Sequence, residues 1–262
     1  MQTLSGIKHP SFQEALSLLK PAGRSATGRF LAEDIHLVGQ ALADSRVHVD
    51  SVFCVAEVAP GLQTACATRS IPLLVATKGL LAKLLGTGYE TGVSAVAIVA
   101  KRSAGSDDLL APGAVVLVGD RIQDPRNVGV LVRTADAMGC SGVLLSSDSA
   151  DPWQRAAVRS TTGSILRTPV VLADDLAATL RDCAAKGARV VGSSGSATRS
   201  AAEALPKERP LLLVLGNEQT GISPAIEAAC QTVVKIPMAP TTGADSLNVT
   251  VAAGMLVYEA LR

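Results

Sequence analysis

Aromatic side chains are nearly missing from this 262-residue chain, which has one Trp, two Tyr and three Phe, 2% of the total. The core must therefore be built from Ala, Val, Leu and Ile, and the sequence offers no stacking platform for successive bases. Histidine is scarce as well. His9, His36 and His48 all lie near the start and form no HExxH, so no metal is expected in the chemistry. Five cysteines, at 54, 66, 140, 183 and 230, make no CxxC pair and are odd in number. That pattern speaks against a disulfide framework or a zinc site and fits a reducing, cytoplasmic compartment. No run of about 18 uncharged apolar residues occurs, so no membrane span is expected. The start, MQTLSGIKHPSF, lacks the apolar stretch of a signal peptide.

A strong charge of one sign is also lacking. The formal net charge is +1, with 10 basic and 7 acidic side chains in residues 1–105 and 14 and 16 in residues 106–262. This is no tail-type nucleic-acid binder, and any RNA contact must come from local patches. Several nucleotide and nucleophile fingerprints are missing too. No GxGxxG follows the apolar run 114–118, and Gly192-Ser193-Ser194-Gly195 does not fit one; GxxxxGK[ST] and GxSxG are absent. Standard dinucleotide, P-loop and Ser–His hydrolase readings therefore fail.

What is present is ample apolar material, 48% of residues, which supports a sizeable core and excludes intrinsic disorder. The first hundred residues read as a small α/β unit. Ser11–Leu19 is helix-like, Pro21–Gly28 reads as a mobile basic loop, and Phe30–Ala43 has helical spacing. Val47–Val55 carries a buried-strand signature. The polar stretch Lys101–Pro112 marks a boundary, giving domains 1–105 and 106–262. Beyond it, apolar runs at 114–118, 143–146, 170–172, 189–191, 211–215 and 233–237 alternate with helical segments. This α/β alternation predicts a parallel sheet covered on both faces. Ligands on such sheets bind beyond the carboxyl ends of the strands.

Three segments follow apolar strands and carry candidate chemistry. In Asp120–Arg133, Asp124-Pro125 forms a turn, Asn127 is a candidate helix cap, and Arg121, Arg126 and Arg133 cluster. The cluster reads either as solvated arginines on a capped helix or as a phosphate- or RNA-contacting patch. In Leu215–Ile222, Gly216 and Gly221 bound a loop carrying Asn217 and Glu218; it is an ordinary βα turn or a close approach of backbone to ligand. In Ile236–Gly254, a polar loop with Thr241, Thr242, Gly243 and Asp245 precedes Ser246, which opens an Ala/Val-rich helix.

Together the three resemble the SpoU-type (TrmH-like) RNA ribose 2′-O-methyltransferases of the SPOUT superfamily. The matching motifs are Asn127–Gly139; Gly216, Glu218 and Gly221; and Ile236–Met238 with Ser246–Val249. Val158–Gly163 before Pro169 is also similar to a family segment. The first hundred residues resemble, more weakly, the family's L30e-like substrate-binding domain. Met138 replaces a usual Phe, Thr250 a common Ser, and the 238–246 loop is about two residues longer than in many members.

The resemblance implies S-adenosylmethionine as donor, a ribose 2′-hydroxyl as acceptor, a trefoil knot in the C-terminal domain and a homodimer. It implies that Gly216, Asn217, Gly221, Ile236, Met238, Ser246 and Leu247 hold the cofactor, with main-chain groups of Gly216, Ile236 and Leu247 on the adenine. It assigns catalysis to Arg133, as a base or as a grip on phosphate and hydroxyl. Asn127 would orient it, Glu218 would hold an arginine, and Ser246 and Asn248 would bind substrate or fix the third loop. Candidate RNA contacts are Lys8, Arg24, Arg29, Arg121, Arg126 and Arg159. Ribosomal RNA is favoured over transfer RNA as substrate. A transfer-RNA enzyme and a non-catalytic RNA-binding module are the alternatives.

Overall fold

The computed structural model describes residues 1–87, 92–239 and 246–262. In chain order the elements are β1 (Gln2–Thr3), α1 (Pro10–Ser17), α2 (Pro21–Thr27), β2 (Arg29–Glu33), α3 (Ile35–Ala43), β3 (Val49–Cys54), α4 (Ala59–Thr68), β4 (Leu73–Val75), α5 (Lys78–Leu85) and β5 (Ala95–Ala100). There follow β6 (Val115–Gly119), α6 (Pro125–Ala137), β7 (Gly142–Ser146), α7 (Arg155–Ser160), β8 (Val170–Ala173), α8 (Leu176–Ala185), β9 (Arg189–Ser193), β10 (Arg199–Ser200), α9 (Ala201–Ala204), β11 (Leu211–Leu215), α10 (Pro224–Glu227), β12 (Thr232–Lys235) and α11 (Val249–Leu261). No helix among the described residues is long and apolar enough to cross a membrane.

The chain divides into two compact units, residues 1–102 with 153–166, and residues 103–152 with 167–262. The first turns at residue 102, near the expected boundary. Residues 153–166, expected in the second domain, instead pack with the first unit. A buried carboxylate explains the return: Glu33 accepts a hydrogen bond from Arg155 Nη2 at 2.9 Å, and burying that charge unpaired would be costly. Lys101 also sits 4.1 Å over the ring of Trp153.

The first unit holds a five-stranded sheet of order β1-β4-β3-β5-β2, with β2 and β3 antiparallel to β5. Two stretches differ from expectation. Pro21–Thr27 is a helix, not a mobile loop. Pro21 stands in its first turn, where the missing N–H is harmless, and Gly28 closes it at φ +64°. Arg24 is drawn inward, 3% exposed, with Nη1 donating to Leu18 O at 2.7 Å. Phe30–Ala43 is not one helix but a strand and a helix. Phe30, Leu31, Ala32 and Glu33 are all buried, a continuous run in which periodicity cannot separate strand from helix. Asp34 makes the break at φ +91° and caps α3, its Oδ1 accepting from His36 N at 2.8 Å.

The second unit is the expected parallel sheet, seven strands in the order β10-β12-β9-β11-β6-β7-β8. Strands β6, β7 and β11 are buried along their whole length because both faces are covered. Val116, Val118, Leu144, Val190, Leu212 and Val214 share one core with Leu180 of α8 and Ile226 of α10. Alternate residues such as Leu117, Leu145 and Leu213 point the other way, where α6 packs on β6 and β7 and α11 packs on β11 and α6. Four neighbouring strands, β12, β9, β11 and β6, thus deliver their carboxyl-end loops to one edge of the sheet.

Candidate active site

The loops after β9, β11 and β12, with the start of α11, enclose a cavity of about 800 Å³, a size suited to a cofactor or nucleotide ligand. Gly216, Asn217, Glu218, Gly221, Ile236, Met238, Ser246, Leu247 and Asn248 all line it. Every expected cofactor residue therefore meets in one place. Met238 and Leu247 are 40% and 37% exposed, an apolar rim left open to a ligand. Sequence reading missed Ser193, Ser194, Gly195 and Lys235, which also line the cavity. The available signal is positional: Ser193 ends the apolar strand β9, as the other segments follow theirs. Thr241, Thr242, Gly243 and Asp245 lie outside the described residues.

The turn after β11 is tightly built. A Cβ on Gly216 would stand 2.0 Å from Gly221 C and from Ile222 N, so only glycine fits. Asn217 and Gly221 exchange backbone hydrogen bonds of 3.1 and 3.0 Å, with Gly221 at φ +69°. Asn217 Oδ1 accepts from the backbone N–H groups of Gln219 and Thr220 at 2.9 and 3.1 Å.

Across this turn runs a polar chain of residues far apart in sequence. Asn248 Nδ2 donates to Asn127 Oδ1 at 3.3 Å, and Asn127 Nδ2 donates to Glu218 Oε1 at 2.9 Å. Gln123 N and Asp124 N also donate to Glu218, at 3.2 and 3.3 Å. Glu218 thus holds an asparagine and two backbone amides, not the arginine that was expected. Asn127 is not the helix cap. Asp124 is, its Oδ1 accepting from Arg126 N at 2.8 Å. Asn248 caps α11, accepting from Thr250 N at 2.8 Å.

Burial raises the Glu218 pKa, but the amide donors, Asn127 first, outweigh it and hold the carboxyl below the ordinary glutamate value. Its contribution to stability is therefore complete above that value, about 4.3, and is lost as pH falls through the lowered one. Glu218→Gln removes this linkage. Thermal melts from neutral pH into acid are expected to fall less steeply for the variant than for the parent. An equal fall would mean the carboxylate is not held this way.

Arg133 is exposed on α6 and, among the described residues, its guanidinium makes no ion pair or hydrogen bond. It lies about 9 Å along the helix from Asn127 and on a different flank, and it does not line the cavity. Arg126 is exposed and paired to Asp124. Arg121 donates to Gly221 O at 3.2 Å. Among the RNA candidates of the first unit, Lys8 and Arg159 are exposed, and Arg29 is half-buried against Asp50 and Glu14. Buried Arg24 presents no charge to an outside phosphate, because its guanidinium is committed to the chain itself. Burial pushes the thiols up, to about 11 for Cys140 and about 12 for Cys230, so neither is a ready nucleophile. No cluster of three or more His, Cys, Asp or Glu that would hold a metal occurs among the described residues.

Residues 114–258 match the SpoU rRNA Methylase family. The chain belongs to that family. The 23S rRNA (guanosine-2′-O-)-methyltransferase RlmB of Nitrosomonas europaea is 32% identical to this SpoU chain over 204 residues, 77% of each protein. A tRNA/rRNA methyltransferase of Mycobacterium ulcerans, named as uncharacterized, is 34% identical over 201 residues, 75% of this chain. The match spans only 64% of that mycobacterial relative's length. Among solved structures, the AdoMet-bound rRNA methyltransferase of Sinorhizobium meliloti superposes with a TM-score of 0.85 at 25% identity, covering 98% of this SpoU chain and 96% of its own.

Proposed function

We propose that this SpoU chain transfers a methyl group from S-adenosylmethionine to a ribose 2′-hydroxyl of RNA, with ribosomal RNA favoured. The observation that carries the reading is the cavity at the strand ends, with the Asn248–Asn127–Glu218 chain on its rim. Its residues fit the cofactor. Leu215, Ile236 and Leu247 offer apolar surface to an adenine, and main-chain groups of Gly216, Ile236 and Leu247 offer polar contacts. The forced glycine at 216 brings backbone close to such a ring. Bound there, S-adenosylmethionine supplies an already activated methyl group, so positioning can provide much of the rate. RlmB of N. europaea and the S. meliloti enzyme, both named for rRNA, support the ribosomal substrate.

Arg133 is the residue for phosphate grip and hydroxyl alignment. A guanidinium stays protonated in proteins, which favours this role over that of a base. It stands outside its own chain's cavity, while Val251, Met255 and Tyr258 leave an apolar stripe at i, i+4 and i+7 on α11, Tyr258 being 61% exposed. We therefore read the working form as a homodimer closed over that stripe, with Arg133 facing the cavity of the second copy. The C-terminal unit carries the reaction and, on family likeness, the trefoil knot. The N-terminal unit is an L30e-like grip for RNA, with Lys8, Arg29 and Arg159 as its phosphate contacts. The cytoplasm is its place of work.

The test is incubation of the pure protein with labelled S-adenosylmethionine and separate pools of unmodified ribosomal and transfer RNA. Digestion of the product is expected to yield a 2′-O-methyl nucleotide from the ribosomal pool. A methylated base would overturn the ribose assignment, and transfer RNA as sole acceptor would overturn the substrate.

A further inference from the structure

The dipeptide Asp120–Arg121 leaves β6 and fastens the turn after β11 at four points. Asp120 N donates to Leu215 O at 2.8 Å. Asn217 Nδ2 donates to Arg121 O at 2.9 Å. Arg121 Nη2 donates to Gly221 O at 3.2 Å. Ser223 N donates to Asp120 Oδ2 at 2.7 Å. The two side chains also pair with each other, Arg121 Nε to Asp120 Oδ1 at 3.3 Å. The Asp120 side chain is only 4% exposed, and removing its cation would strand a buried charge.

Arg121 is also held in an unfavourable conformation, φ +54°, with its own N–H donating to Ser146 Oγ at 2.8 Å. Such strain persists only where the surroundings over-determine it. Here both faces of the residue are committed, its backbone to Ser146 and Asn217 and its guanidinium to Asp120 and Gly221. A solvated or phosphate-gripping arginine needs none of this. We infer that Asp120 and Arg121 are positioning residues that set the pose of the Gly216–Gly221 turn for the cofactor, and that Arg121 is not an RNA contact. The inference rests on the cofactor reading of the cavity. The turn carries both Gly216 and Glu218, so a shift in its pose moves cofactor backbone and polar chain together.

Calorimetric titration of the full chain with S-adenosylmethionine tests this, alongside its affinity for total ribosomal RNA. Arg121→Met is expected to raise the S-adenosylmethionine Kd about tenfold, the loss of one charge-assisted hydrogen bond, and to leave RNA affinity unchanged. Arg121→Lys keeps the ion pair and loses the fork, so its Kd is expected to fall between the two. Should Arg121→Met not fold, Arg121→Lys and Asp120→Asn carry the same comparison. An unchanged cofactor Kd in the folded variants overturns the inference, as does weakened RNA binding with cofactor binding intact. If the parent protein itself fails to bind S-adenosylmethionine, the cofactor reading falls, and that is seen before any variant is made.

Discussion

Arg133→Ala is expected to lose methyl transfer by at least about 100-fold, the scale for removing one preorganised group from a reacting centre, while S-adenosylmethionine binds as before. The basis is its isolation: among the described residues it pairs with nothing, although carboxylates serve its neighbours Arg121 and Arg126. An arginine with no structural duty can be removed without unfolding the chain, so lost turnover would report chemistry. The same loss is expected with intact protein when the target nucleotide lacks its 2′-hydroxyl. Retained turnover in Arg133→Ala would remove the residue from the mechanism. Single-turnover assays at saturating cofactor separate these outcomes from a change in binding.

Gly216→Ala should act on the other half of the site. Its new methyl would lie 2.0 Å from backbone atoms of Gly221 and Ile222, and backbone cannot swing aside as a side chain can. The turn must open, at about 1–3 kcal/mol of stability and a cofactor Kd raised on the order of 100-fold. Gly39→Ala is the control, since its Cβ meets nothing within 4 Å, and it should bind cofactor like the parent. The two defects also report on assembly. If Arg133 serves the second copy, co-expressed Arg133→Ala and Gly216→Ala chains form mixed dimers with one sound site each. Random pairing then restores about a quarter of parental activity. No recovery would place Arg133 in its own chain's site.

The motifs of the site were legible because each is local: a strand end, a glycine-bounded turn, a capped helix. Their convergence was legible only through the family likeness, since nothing in the spacing states that β11 lies between β9 and β6. Glu218 was expected to hold an arginine and instead accepts from amides, because that choice depends on contacts 91 and 95 residues away. Arg24 was misread for a different reason. Its neighbours are Gly, Ser and Ala, a composition that describes a loop, while Pro21 and Gly28 frame it as a short helix. The strand Arg29–Glu33 was hidden by an unbroken apolar run, and the buried Glu33 gave no sign of its partner at 155.

That partner has a consequence for how the protein is made. The chain enters its first unit, leaves at residue 102 and comes back at 153. A ribosome releasing the chain from its N-terminus delivers Glu33 more than a hundred residues before Arg155. Through that interval the first unit holds a carboxylate without its cation, and strands β6 and β7 of the second unit are made before the cation arrives. Domains in general fold in order of synthesis, and here the first unit is complete only once residue 166 has been made. A gene cut at residue 102 would supply the first unit without its residues 153–166.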